Sequence, residues 1–307
     1  MCLKYRFSCL LFFVLISLST STSAQGEVDR LLGAIRNGHN IVIQNYGITE
    51  SDVNLLIRQF ENEFSRFNRE QRYISYFYLQ RIALGFDSNA PQSQLLDLIV
   101  RVGLKDADSG NRNAAIKLLY AFPLDCYTTT IKNSIASYVV SKEEPFTDFA
   151  RLAGWAKITQ VEVSLLELLR LGELTNKESW EVHLALARIG NEESLQYCMQ
   201  MIRNAGMNDL VVHSLVPEII YLNQREGFDY LLMKILDDDK FCSSPNPEIE
   251  LNINCAYRLM ESVAPVIVDF PLEVDASGDL LVADYEEALN EVRVWIHEHY
   301  QTYQIRE

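Results

Sequence analysis

Ser179-Trp180-Glu181-Val182-His183-Leu184-Ala185-Leu186-Ala187-Arg188-Ile189-Gly190-Asn191-Glu192-Glu193-Ser194-Leu195-Gln196-Tyr197-Cys198-Met199-Gln200-Met201-Ile202-Arg203-Asn204 decides the fold. It reads as two helices around a tight acidic turn. Trp180 opens an Ala- and Leu-rich segment that closes at Ile189-Gly190. A glycine there suits the left-handed residue that ends many helices. Asn191-Glu192-Glu193 makes the turn, and Asn191 or Ser194 can cap the next helix by accepting one of its orphan amides. Leu195, Cys198, Met199 and Ile202 then recur at the spacing of one helix face.

The same periodicity extends outward in both directions. Val53, Leu56, Ile57, Phe60 and Phe64 share a face, as do Leu95, Leu96, Ile99 and Val100. Ile131, Ile135, Tyr138 and Val139 follow, then Val161, Leu165, Leu168 and Leu169, and later Phe228, Leu231, Leu232, Ile235 and Leu236. Shorter helical stretches lie between them, near 74–84, 114–122, 146–158, 180–189 and 212–222. Breaks carrying Gly, Asn, Asp or Pro separate the segments. The chain has no long apolar β run and no alternation of strands with helices, which disfavours an α/β enzyme fold. Val182-His183 returns as Val212-His213, a period of 30 residues. Tandem helix pairs of that length bury their apolar faces only against their neighbours.

Residues 182–202 resemble a HEAT repeat, with an Ala-rich first helix, a closing Ile-Gly, a short acidic turn and an amphipathic second helix. Residues 209–237 resemble it with Pro217 interrupting the first helix and Asn223-Gln224-Arg225-Glu226-Gly227 replacing the tight turn. Residues 113–140 and 146–171 are more distant matches, and half the chain is covered in all. The resemblance implies an all-α, right-handed α-solenoid of HEAT-like helix pairs used for protein contact, and it carries no catalytic residues. The expected organisation is capping helices over 25–70, helical repeats over 71–240 and a C-terminal cap over 241–307. That cap opens with a Pro-rich loop, Ser243-Ser244-Pro245-Asn246-Pro247. A helix near 252–263 follows, then a small β-hairpin over 272–282 turning on Gly278, and a final helix with Tyr285, Leu289, Val292 and Ile296 on one face.

The first residues read as a secretory leader, expected to be cleaved after Ala24. Lys4 and Arg6 are basic, the run from Leu10 to Leu18 is apolar, and small polar residues lead to Ala24. The apolar run is about half of the ~20 residues needed to span a bilayer as a helix. Export to the periplasm or the cell exterior follows as an expectation, without a transmembrane segment in the mature chain. The formal charge is −15, and loss of Lys4 and Arg6 would make it −17. Such a surface repels nucleic acid and anionic membranes and favours basic partners.

Motifs for chemistry are few. There is no G-x-S-x-G, H-E-x-x-H, phosphate-cradling Gly-rich loop or C-x-x-C, so neither a catalytic set nor a cofactor or metal is assigned. His297 and His299 would point apart on a helix. His183 and His213 hold matching places in adjacent units, but a core-edge histidine bonded to a backbone carbonyl is the simpler reading. Asp275, Ser277, Asp279 and Glu286 follow a calcium-loop spacing, yet Leu280 stands where the sharp turn needs Gly. Asp106-x-Asp108-x-Gly110 reads as an inter-repeat loop, and Asp237-Asp238-Asp239 as a solvated acidic run. After loss of the leader four cysteines remain: Cys126, Cys198, Cys242 and Cys255. Either Cys242 and Cys255 form a local disulfide, or all four are free buried thiols.

The leading functional expectation is a non-catalytic scaffold that presents its second helices to another protein carrying a basic patch. The expected surface comprises Lys132, Asn133 and Ser137, then Glu162 and Glu167, then Gln196 and Gln200, then Asp229 and Lys234. The alternatives are an enzyme whose carboxylates only the fold assembles, or a binder of cations or small ligands.

Overall fold

A computed structural model describes residues 23–38, 42, 46–238, 240–244, 252–275 and 277–306. The leader up to Thr22, Asp239 of the acidic run, Pro245-Asn246-Pro247 and Ala276 lie outside the described residues. The structure is helical apart from one small two-stranded sheet. No described helix is long and apolar enough to cross a membrane. Two compact units divide the chain, Met1–Leu152 and Ala153–Glu307. The division falls inside the expected repeat block of 71–240.

The first unit contains α1 (Ser23–Arg36), α2 (Val53–Phe64), α3 (Arg69–Leu84), α4 (Asn89–Gly103), α5 (Ser109–Leu119) and α6 (Thr129–Val140). Helix α1 packs on α2 and α3, α3 on α4 and α5, and α4 on α2, α5 and α6. Each helix therefore touches its sequence neighbour or the helix two ahead. The faces read from periodicity are largely the ones that are buried, with Ile57 and Phe64 at the edge of the α2 face only half-covered. Val53, Leu56 and Phe60 of α2 are covered, as are Leu95, Leu96, Ile99 and Val100 of α4 and Ile131, Ile135, Tyr138 and Val139 of α6. Gly103 lets α4 close on α5, since a Cβ there would lie 2.7 Å from that of Ala115.

Helix α7 (Phe146–Trp155) runs across the division. The second unit continues with α8 (Glu162–Leu171), α9 (Asn176–Arg188) and α10 (Glu192–Asn204). Thr175 starts α9 through a capping box with Glu178, each side chain satisfying the other's backbone amide. Gly190 takes φ +103° after α9, and the Asn191 side chain accepts from Ser194 N to start α10. The next first helix is broken into α11 (Asp209–Ser214) and α12 (Val216–Leu222), because Pro217 has no amide to continue α11. Helix α13 (Arg225–Leu236) follows. Strand β1 (Cys242–Ser243) pairs antiparallel with β2 (Asn252–Ile253), and α14 (Ala256–Val263) and α15 (Tyr285–His299) complete the unit. Here α9 packs on α8, α10 and α12, α12 on α13 and α14, and α15 on α13 and α14. One continuous core joins Leu184, Met199, Ile219, Phe228, Leu259 and Val292.

The hairpin expected over 272–282 is present in a short form: Val274 and Leu280 bridge antiparallel, Asp275 N donates to Asp279 O at 2.9 Å, Leu281 N donates to Glu273 O at 2.9 Å, and Gly278 takes φ +90° in the turn. The Asp275 carboxylate accepts from Ser277 N and Asp279 N, which ties the turn together through a side chain. A two-stranded sheet also forms at Cys242–Ser243 and Asn252–Ile253, beside a disulfide between Cys242 and Cys255. The helix expected from 252 begins only at Ala256, after β2.

Candidate functional site

The second-helix positions chosen from sequence separate into two groups. Asn133, Ser137, Glu167, Gln196 and Gln200 are exposed. Lys132, Glu162, Asp229 and Lys234 are half-buried, which corrects the expectation that they stand free. Lys132 lies on α6, which packs along α4. Glu162 sits at the start of α8 and accepts from Asn191 Nδ2 at 3.1 Å, which ties it to the cap of α10. Asp229 accepts from Tyr303 Oη at 2.7 Å and pairs with Arg225, while Lys234 pairs with Asp237. Counting outward positions on one helix cannot foresee partners supplied by neighbouring helices or by the chain end.

The outward ridges of α8, α10 and α13 carry more apolar surface than expected. Val163 is 77% exposed and Leu171 52%. Tyr197 and Met201 stand exposed one turn apart on α10, and Met233 is exposed on α13. Of the α8 side chains only Leu165 is fully buried, with Leu166, Leu168 and Leu169 half-covered. Glu226 bridges α13 to α10 by accepting from Gln196 Nε2 at 3.0 Å and pairing with Arg203 at 2.6 Å.

The strongest electrostatic centre lies in the first unit, on a loop that sequence reading passed over. Asp106 is 4% exposed. It receives Arg72 through two bonds of 2.7 and 2.9 Å, Tyr76 Oη at 2.7 Å, Asn111 Nδ2 at 3.1 Å and Asp108 N at 2.9 Å. Burial opposes its charge. Arg72, the Asp108 amide, Tyr76 and Asn111 outweigh burial and hold the carboxyl well below the usual carboxylate range. Burial and the same hydrogen bond push the Tyr76 phenol up. Asp108 caps α5 by accepting from Asn111 N. The cluster fastens the start of α5 to α3 and is fully hydrogen-bonded, so it reads as structure rather than chemistry.

Matching places in sequence do not give His183 and His213 matching surroundings. His213 is exposed on the short α11. His183 is half-buried, its Nδ1 3.1 Å from Ser194 Oγ and its ring stacked on Tyr197 at 4.0 Å. Its partner is therefore a hydroxyl rather than a backbone carbonyl. Burial lowers its pKa against the opposing pull of Glu193. His299 Nδ1 lies 3.0 Å from Trp295 O and its ring stacks on Trp295, while His297 is exposed. Among the described residues no three His, Cys, Asp or Glu side chains are placed to hold a metal ion. Cys126 and Cys198 are free and buried, and burial pushes the Cys198 thiol up to about 12.

A second feature escaped the sequence reading. In the second unit, Trp155, Arg188, Tyr221, Phe228, Pro265 and Arg306 converge on a cavity of about 380 Å³. They come from positions as far apart as 155 and 306, with no spacing to join them. No protein-family model, curated protein or solved structure matches the chain.

Proposed function

We propose that this chain is an exported, non-catalytic scaffold. In this reading HEAT-like helix pairs stack as a solenoid within each unit and present their second helices to another protein. The contact pattern supports the stacking: first helices α1, α3 and α5 touch in series, as do α9, α12 and α14, while α2, α4 and α6 do so in a second row. The leader-like residues 1–24 support export.

One observation carries the functional reading. Val163 and Leu171 on the partly covered α8, and Tyr197 and Met201 on α10 with Met233 on α13, whose opposite faces are buried, are exposed apolar side chains. Tyr and Met are enriched where proteins dock, and single-domain surfaces rarely gather several such side chains without a use for them. The occupant is a protein segment with apolar side chains and a basic rim. Its charge follows from the exposed Glu167, Glu192 and Glu193 beside the ridge and from a formal chain charge of −15.

The test starts from a partner cross-linked in the native envelope, purified and titrated against the full chain. Met201→Ser and the charge reversals Glu167→Lys and Glu193→Lys should each weaken binding about tenfold with melting unchanged, a loss of ~1.4 kcal/mol. Affinity should also fall as salt rises, because rim charges are screened beyond a Debye length of about 8 Å. Glu162 is unsuited to this test, since its change would disturb the α10 cap. Unaltered affinity in all three variants together with salt-insensitive binding would remove the second-helix surface as the site.

A further inference from the structure

We propose that an apolar groove in the second unit docks an extended segment of another protein in which basic and apolar side chains alternate. The groove lies between residues 271–273, residues 281–284 and the first two turns of α15, and it encloses about 360 Å³. It is a site separate from the second-helix surface, and its occupation does not depend on that surface.

Both walls are held in place. The hairpin turning on Gly278 sets Glu273 beside Leu281, whose amide donates to Glu273 O at 2.9 Å. Phe270, just before this wall, packs edge-on against Trp295 of α15 with ring centres 5.3 Å apart. Asp284 starts α15 by accepting from Glu286 N and Glu287 N, and Tyr285 Oη donates to Glu261 of α14 at 2.7 Å. Leu272 and Ala288 line the groove as buried side chains, with Pro271 and Val282 half-buried beside them. Leu281 at its rim is 61% exposed. Val294, also exposed, continues the α15 face beyond Glu291. Apolar side chains left open to water along one groove mark a contact surface.

Charge selects the occupant. The lining carries four carboxylates, on Glu273, Asp284, Glu287 and Glu291, and no cation. The Glu273, Glu287 and Glu291 side chains make no hydrogen bond or ion pair among the described residues. The dipole of α15 gives Asp284 and Glu287 a structural reason, but its effect falls off within the first turn and does not reach Glu291 or Glu273. Among the described residues no three carboxylates are placed to hold a metal ion, so the matching cations arrive spaced apart. No aromatic ring lines the groove, which disfavours a quaternary ammonium ligand held by cation–π contact. Spacing sets the form of the partner. Glu287 and Glu291 stand about one turn apart, a rise of ~6 Å along the helix. Alternate residues of an extended chain lie ~6.6 Å apart and point to one side. Lys or Arg at alternate positions therefore meets successive carboxylates of α15. The apolar side chains between them turn to Pro271 and Leu281 on the opposite wall.

The purified full chain is titrated by fluorescence anisotropy with dye-labelled acetyl-Lys-Leu-Lys-Leu-Lys-amide. The isomer acetyl-Lys-Lys-Lys-Leu-Leu-amide, of equal charge and composition, is titrated beside it. The alternating peptide should bind about tenfold more tightly than the isomer, and more weakly as salt rises. Glu287→Gln combined with Glu291→Gln, and separately Leu281→Ser, should each weaken it about tenfold with melting unchanged. Glu167→Lys on α8 should leave the affinity unchanged, which separates this groove from the second-helix surface. The proposal is overturned if the alternating peptide does not bind at millimolar concentration, if the two isomers bind alike, if the double Gln variant binds normally, or if Glu167→Lys weakens binding as much. It is equally overturned if the free chain dimerises in sedimentation and the double Gln variant abolishes the dimer, because a second copy then fills the groove.

Discussion

Asp106 is a charge sealed inside the first unit, and its strength comes from donors that arrive from α3, α5 and its own loop. Asp106→Asn would leave the Arg72 guanidinium facing a neutral amide and should cost ~3 kcal/mol, as for a buried pair that loses one partner. The pH dependence has a definite sign. A carboxyl held below its unfolded value contributes stability that is full above the unfolded pKa of about 3.9 and is lost as acid protonates the folded protein. Urea midpoints measured from pH 6 downward should therefore fall in the wild type and fall less steeply in Asp106→Asn. Equal acid limbs would mean that Asp106 does not set the acid stability. In sequence, Asp106-x-Asp108-x-Gly110 looked like an ordinary loop, because nothing in the spacing announces Arg72 and Tyr76 some thirty positions earlier. Arg306 was equally silent, as it reaches the cavity wall only when the chain end pairs with 266–268. Both cases reflect partners far apart in sequence, which periodicity does not register.

At the scale of elements, legibility follows the cause of each feature. Helices driven by one apolar face were readable: Leu195, Cys198, Met199 and Ile202 of α10 are all buried, as are Phe228, Leu231, Leu232 and Ile235 of α13. Pro217 marked the break between α11 and α12, because a missing amide is visible in the sequence itself. Leu168 and Leu169 read as core but are only half-covered, since coverage depends on what packs against α8. The loop at 275–279 read as a hairpin turn on Gly278, and it is one, because a glycine at φ +90° is visible as a turn residue in the sequence itself. Spacing brought Cys242 and Cys255 forward without choosing between a bridge and free thiols, and the structure joins them beside β1 and β2. This bond closes the chain over a separation of 13 residues. Replacing both cysteines by Ser, or reducing the bond, should cost ~3 kcal/mol on the chain-entropy account of a loop near that length. Thermal melts with and without reductant would measure it, and identical curves with the bond shown to be reduced would exclude a stabilising clamp.

At the scale of the whole molecule, charge and targeting bear on where the chain works. Helix α1 begins at Ser23, and its buried apolar residues start at Val28. Cleavage after Ala24 would therefore leave the described core intact. Mass spectrometry of the protein from its native cells should find a mature N-terminus at Gln25, and an abundant species beginning at Met1 would remove export from the proposal. All-helical architecture was legible because periodic faces repeat along nearly the whole chain. The division at Leu152 and Ala153 was not, because it falls within α7, where the sequence carries no linker. Helix α8 has one more consequence. A helix that fully buries Leu165, half-covers Leu166, Leu168 and Leu169 and leaves Val163 and Leu171 in water is expected to open locally at less cost than α10 or α13, which amide hydrogen exchange would measure. Whatever covers those side chains also shields the amides beneath them from exchange. Occupancy of the strip and backbone order of the helix thereby become a single equilibrium.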